Sequence, residues 1–233
     1  MTSDTSRLPE GVPAPQANDR IARALRGFGP PGLLAMLVIA VSITPALRAV
    51  LVLAWAWRSH TPWREIGYVR PRSWTRSLVI GLSAGAALKI VMKAIAMPLL
   101  GAPPTNSAYH FLVGNAAAIP VAVFAAIVGA GFGEETVFRG YLFERMRKVL
   151  GAGVGASTAI VVLTSVLFGL AHFPEQRLAG AEQGLITGLV FGTIFAATGR
   201  LFTVMCMHAA FDLTAVAIIY WNLESVVARA VFR

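Results

Sequence analysis

The chain has 233 residues, 56% of them hydrophobic and 13% charged, and a mean hydropathy of +0.68 that a water-soluble domain does not tolerate. At ~20 apolar residues per crossing of ~30 Å, the length allows about five to seven helical spans in one bundle and little else. The net charge of +9 does not imply nucleic acid, because many of the basic residues flank apolar runs, where they set topology and contact membrane lipid; the single cysteine, Cys206, excludes a disulfide framework or a Cys-rich metal cluster.

Residues 1–30 hold Pro9, Pro13, Pro15 and Pro30 and no apolar run, and are expected to form a disordered N-terminal tail. The first apolar segment, 33–57, is too long for the core of a cleavable signal and reads as a span, or as a hairpin bent at Pro45. The loop 58–76 carries Arg58, Arg64, Arg70, Arg72 and Arg76 against Glu65 alone, so it is expected on the cytoplasmic side. In the next apolar segment, 77–99, Lys89 and Lys93 share a helical face and are expected to point into the bundle or snorkel.

The run 114–149 is too long for one span, since a continuous helix of that length would reach ~54 Å. Gly129, Gly131 and Gly133 are expected to break or kink it. Further spans are expected at 157–172, 183–199 and 201–221, and a C-terminal tail at 223–233. The fold class is therefore an all-α polytopic transmembrane helix bundle of about six spans, occupying residues 31–222. Six spans would put both termini outside, whereas Arg20, Arg23 and Arg26 favour an N-terminus inside.

A charged side chain at a membrane helix centre costs roughly 2.5 to 3.5 kcal/mol, so each one asks for a partner or a task. Glu135 and Arg139 lie one turn apart and can pair, which leaves Glu134 with a carboxylate facing elsewhere. Phe168 sits over the same face as His172, and Asp212 over the same face as His208. Taken singly, each could be a satisfied bundle residue or interhelical glue. Together, four ionisable groups on three apolar segments suffice to activate a water in a membrane-embedded cavity. His60 and His110 fall in polar loops, and Cys206 reads as packing.

In this order, Glu134-Glu135-x-x-x-Arg139, Phe168-x-x-x-His172 and His208-x-x-x-Asp212 resemble the three motifs of the CPBP intramembrane proteases, also called the CAAX prenyl protease 2 or Abi family. Trp63-x-Glu65-Ile66-Gly67-Tyr68 resembles the family as well, over a match spanning about residues 60–221. The resemblance implies a membrane endopeptidase acting on a membrane-associated peptide or protein, with Glu134 and His172 activating water, His208 stabilising the oxyanion, and Glu135, Arg139 and Phe168 in support. Where the family usually has Asn, this chain has Asp212, which must be protonated, orient His208, or ligate a metal. Zinc would accept His172, His208 and a carboxylate of Glu134 or Asp212, so glutamate-dependent and metal-dependent hydrolysis both stay open. Two rival functions use the same residues: a transporter or proton relay, and a catalytically silent immunity or scaffolding protein. The Ala-, Gly- and Arg-rich composition places the expected site of action in a bacterial cytoplasmic membrane.

Overall fold

The computed structural model describes residues 19–232, and every regular element among them is helical. The first two helices, α1 (Arg20–Arg26) and α2 (Pro30–Val41), form a bent pair and lead into α3 (Pro45–Arg58). Most of the tail expected over residues 1–30 lies outside the described residues, but from Asp19 onward the expectation is corrected. Asp19 accepts hydrogen bonds from the backbone N–H of Ile21 and Ala22 at 2.9 and 3.0 Å, capping α1, and its carboxylate pairs with Arg58 at 2.8 Å. The Ala22 N–H foremost, together with the Arg58 guanidinium, holds the Asp19 carboxyl down at about 2.

The segment 33–57 is a hairpin rather than one span. Pro45 has no N–H to continue a helix and forces the preceding Thr44 into an extended conformation (φ −116°, ψ 147°), so the chain turns there and α3 restarts under a Thr44 cap. At the open end of the hairpin the Trp55 indole donates to the Leu25 carbonyl at 3.0 Å.

Helix α4 (Trp74–Leu99) and helix α7 (Leu201–Tyr220) form the most extensive helix pair and run parallel. Gly81 and Gly85 make this possible: a Cβ at Gly81 would lie 2.6 Å from that of Cys206, and one at Gly85 would collide with the Met207 carbonyl. Between them in sequence, α5 (Ala116–Leu150) is continuous through the glycines expected to break it. Its backbone widens instead to π-helical hydrogen bonding over Ala125–Glu134 and Thr136–Leu142. The glycines serve close approach: a Cβ at Gly131 would lie 2.9 Å from the Met205 carbonyl oxygen of α7, and one at Gly133 the same distance from the Pro45 carbonyl oxygen.

Helix α6 (Val154–Thr198) is two helices joined at Arg177, whose φ of 57° and ψ of −150° reverse the chain. The halves 154–176 and 178–198 pack antiparallel on small residues, with Gly188 against Ser165, Gly184 against Gly169, and Gly192 against Val161. At ~1.5 Å per residue each half covers ~30 Å, so α6 supplies the two spans expected at 157–172 and 183–199. Among the described residues, four helices are long and apolar enough to cross a membrane, or five if the bent α1–α2 pair is one span, and α6 alone counts twice by its reversal. Beyond α7, the expected tail instead begins with helix α8 (Glu224–Ala228), whose Glu224 is buried because it accepts from Lys93 at 2.8 Å.

The hairpin brings Arg20, Arg23 and Arg26 to the same end of the bundle as the 58–76 loop. Arg145, near the end of α5, donates to the Arg26 carbonyl at 2.8 Å, and the Leu201 N–H at the start of α7 donates to the Gly67 carbonyl at 3.0 Å. Residues Arg20–Arg26, the 58–76 loop, the end of α5 and Arg200 therefore gather at one end of the bundle.

Candidate active site

Each motif side chain is delivered by a different helix, and Phe168 is where they meet. Its fully buried ring lies edge-on to Phe138 of α5 at 4.9 Å between centroids, under the Arg139 guanidinium at 4.7 Å, and against His172 at 4.6 Å and His208 at 5.8 Å. The sequence suggested only a supporting place for Phe168; the structure makes it the hub of the three motifs.

The first motif lies in the π-helical part of α5. Glu135 and Arg139, both buried, form the expected pair at 2.8 Å, and Arg139 also reaches the Gly188 carbonyl at 3.4 Å. The same Glu135 Oε1 is the partner of His208 Nδ1 at 2.7 Å. A carboxylate oxygen accepts, so Nδ1 carries the proton and Nε2 is the imidazole's working nitrogen. Glu135 therefore orients His208. The role considered for Asp212 falls to another residue: Asp212 Oδ2 stands 3.8 Å from His208 Nε2, beyond hydrogen-bond range.

Glu134 Oε2 lies at the same 3.8 Å from His208 Nε2. Like Glu135 Oε2 and unlike Glu135 Oε1, this oxygen is buried with no hydrogen-bond partner among the described residues. Across the site, His172 Nδ1 lies 2.8 Å from the Phe168 carbonyl of its own helix. In the neutral ring that places the proton on Nδ1 and leaves Nε2 as an acceptor. Phe191, which the sequence did not single out, closes the back of the site, with its ring 5.1 Å from that of His208 and 5.5 Å from the Arg139 guanidinium.

A cavity of about 830 Å³ runs from Phe168, His172 and His208 to Asn106, Tyr109 and Glu224 at the end away from the basic loops. Lys89 and Lys93 both point inward to it, as one of the two expectations for them had it. The Trp63–Tyr68 stretch seals the opposite, basic end. Its Ile66 is fully buried, the Ile66 carbonyl lies against Gly140, and the Tyr68 hydroxyl shares a 2.8 Å hydrogen bond with Thr136 next to the glutamates. Gly67 suits that place because its φ is 80° and a Cβ would lie 2.4 Å from Phe195 Cε2.

No three His, Cys, Asp or Glu side chains converge as a ligand set among the described residues. Residues 116–214, which hold all three motifs and somewhat less than half of the chain, match the family described as type II CAAX prenyl endopeptidase Rce1-like. No curated protein and no solved structure matches the chain. The order of the motifs, the convergence of their side chains on Phe168 and the match over residues 116–214 make this polytopic membrane protein similar to the CAAX proteases over the part of the chain that carries the site.

Proposed function

We propose that the protein hydrolyses a peptide bond of a membrane-associated peptide or protein through a water held between Glu134 and His172. The observation that supports this most is the division of labour between adjacent carboxylates. Both carboxylates keep a buried Oε2 without a donor, but Glu135 is held through Oε1 by Arg139 and His208 together, while Glu134 has only the longer 3.8 Å approach to His208. In this reading Glu134 takes the proton of the water as it attacks the scissile carbonyl, and His172 Nε2 accepts the water's other hydrogen bond. His208, charged and held by Glu135 through Nδ1, donates from Nε2 to the oxyanion of the tetrahedral intermediate. Glu134 then passes its proton to the amine nitrogen as the C–N bond breaks. Asp212 borders the same Nε2 and acts as a polar neighbour of the oxyanion rather than as the orienter of His208.

The basic end faces the cytoplasm of a bacterial cytoplasmic membrane in this reading, and substrate enters the cavity from the opposite side. Membrane lipid and the peptide are the partners. A transporter would need a sealed vesicle and a gradient. The test is therefore hydrolysis by purified protein in detergent with no gradient, on membrane-protein substrates read by mass spectrometry. Irreversible products are expected from the native protein, and normal turnover by Glu134→Ala would overturn the assignment. For the topology, Arg72→Cys should resist an impermeant thiol reagent added outside intact cells while Ser107→Cys reacts, and the reverse pattern would invert it.

A further inference from the structure

Two lysines one helical turn apart on α4 line the same cavity and have opposite fates. Lys93 is neutralised by Glu224 at 2.8 Å, and that carboxylate also accepts the Asn106 backbone N–H at 3.0 Å. Lys89 is buried too, but its ammonium makes a single hydrogen bond, to the Gln183 amide oxygen at 3.0 Å, and otherwise lies 4.7 Å above the centroid of the Phe211 ring. No carboxylate of the described residues comes within ion-pair distance of it; Asp212, on the same cavity wall, is near enough to act on the ammonium through space, but its ion-pair contact is with His208 at 3.8 Å. An ammonium has three donors and no acceptor, so two N–H groups remain to be satisfied from the cavity. A membrane bundle does not keep a buried cation without a partner or a task.

Gln183 and Phe211 also fix where this cation stands relative to the motifs. Gln183 precedes Gly184, which lies against the His172 ring, and the Phe211 ring meets Phe191, itself against His208. The ammonium is thus set into the same wall as both motif histidines, separated from His208 by two aromatic rings. The surroundings are mostly apolar, where a charge-assisted bond to a carboxylate is stronger than at a wetted surface.

We infer that Lys89 and Gln183 form a carboxylate-binding subsite of the cavity, which selects peptide substrates by an anionic end or side chain. Lys89 donates to the carboxylate oxygens, and Gln183 holds the ammonium in place through its amide oxygen. The inference rests on the hydrolytic reading for its substrate, but not for its test.

Three sets of N-acetylated apolar peptides serve as probes, ending in a free carboxylate, ending in a carboxamide, or ending in a carboxamide with one internal Glu. The readout is the ratio of kcat/KM between sets, which is insensitive to a general loss of folded protein. The native protein should prefer the carboxylate-ended set by about 10- to 100-fold, Lys89→Met should bring the ratio near one, and Lys89→Arg should keep most of it. A Lys89-dependent preference for internal Glu would identify a side chain as the source of the carboxylate. A native ratio near one, or a preference that persists in Lys89→Met, would overturn the subsite. If the native protein cleaves no set beyond the level of Glu134→Ala, the hydrolytic reading fails separately. Retention of the same sets on immobilised Glu134→Ala protein, with and without Lys89→Met, then decides the subsite, and equal or absent retention of all sets overturns it.

Discussion

Helix α5 buries two Glu–Arg pairs within three turns, and only one of them belongs to a site. Glu135–Arg139 touches His208, a π-helical backbone and the cavity wall at Phe168. Glu144–Arg145 is as deeply buried, with Lys148 on the same carboxylate, but its surroundings are closed. Arg145 spends its remaining capacity on the Arg26 carbonyl and lies over the rings of Trp55, Phe28 and Tyr141 at 4.6, 5.5 and 5.8 Å. That pair docks the N-terminal hairpin onto the bundle. A buried ion pair therefore does not mark an active site in this fold. The difference lies in the neighbours: Glu135–Arg139 adjoins His208 and Phe168, both on the cavity wall, whereas Glu144–Arg145 adjoins the N-terminal hairpin.

The comparison breaks most sharply at Glu134. Glu134→Ala should lower hydrolysis by about 10²- to 10⁴-fold with little change in thermal unfolding in detergent, since the carboxylate has no protein donor to lose. Activity within a few-fold of native would remove the distinction between the two regions.

Glu135→Gln should damage both properties. It strips the buried Arg139 of its counter-ion and His208 of the charge that supports its imidazolium, so a stability loss of about 3 kcal/mol should accompany a large drop in activity. A variant with native activity and only a lower melting temperature would show that Glu135 is structural alone.

Arg145→Met should give the complementary result: destabilisation of about 3 kcal/mol, with the N-terminal hairpin more open to protease near Arg26. The fraction that stays folded should keep its specific activity. Loss of activity per folded molecule would mean that the hairpin, through the Pro45 contact with Gly133, also shapes the site.

The smallest effect is expected at Asp212. Because Glu135 and not Asp212 orients His208, Asp212→Asn should retain activity within about tenfold or raise it, as an amide can donate to an oxyanion where an ionised carboxylate cannot. Steady-state kinetics of the two proteins side by side would settle it, and a loss beyond ~100-fold would give Asp212 a direct role in the chemistry.

Alternatives that depended on contacts between distant residues could not be separated by local pattern. The hairpin at Pro45 and the single span over 33–57 fit the same letters; what selects the hairpin is the docking of Trp55 on Leu25 and of Arg145 on Arg26. Gly129, Gly131 and Gly133 read as a kink or a break, because a glycine that admits a kink and one that admits a neighbouring backbone look alike until Met205 and Pro45 are placed against Gly131 and Gly133.

What the sequence determined by itself was set by local chemistry. Apolar length called for membrane-spanning helices, and the spacing of Glu135 and Arg139 fixed their pairing, since i,i+4 neighbours meet on any helix. Only the tertiary structure decided which carboxylate holds His208, because Glu135 lies 73 residues away in sequence while Asp212 is one turn away and looked the nearer partner. It also decided that Phe168 joins the three motifs, and that Lys93 is neutralised while Lys89 is not. The physical reason is the same in each case. A helix dictates which side chains share its own face, but the partner across the interface depends on how glycines let two backbones approach and on which buried charge is left to be satisfied.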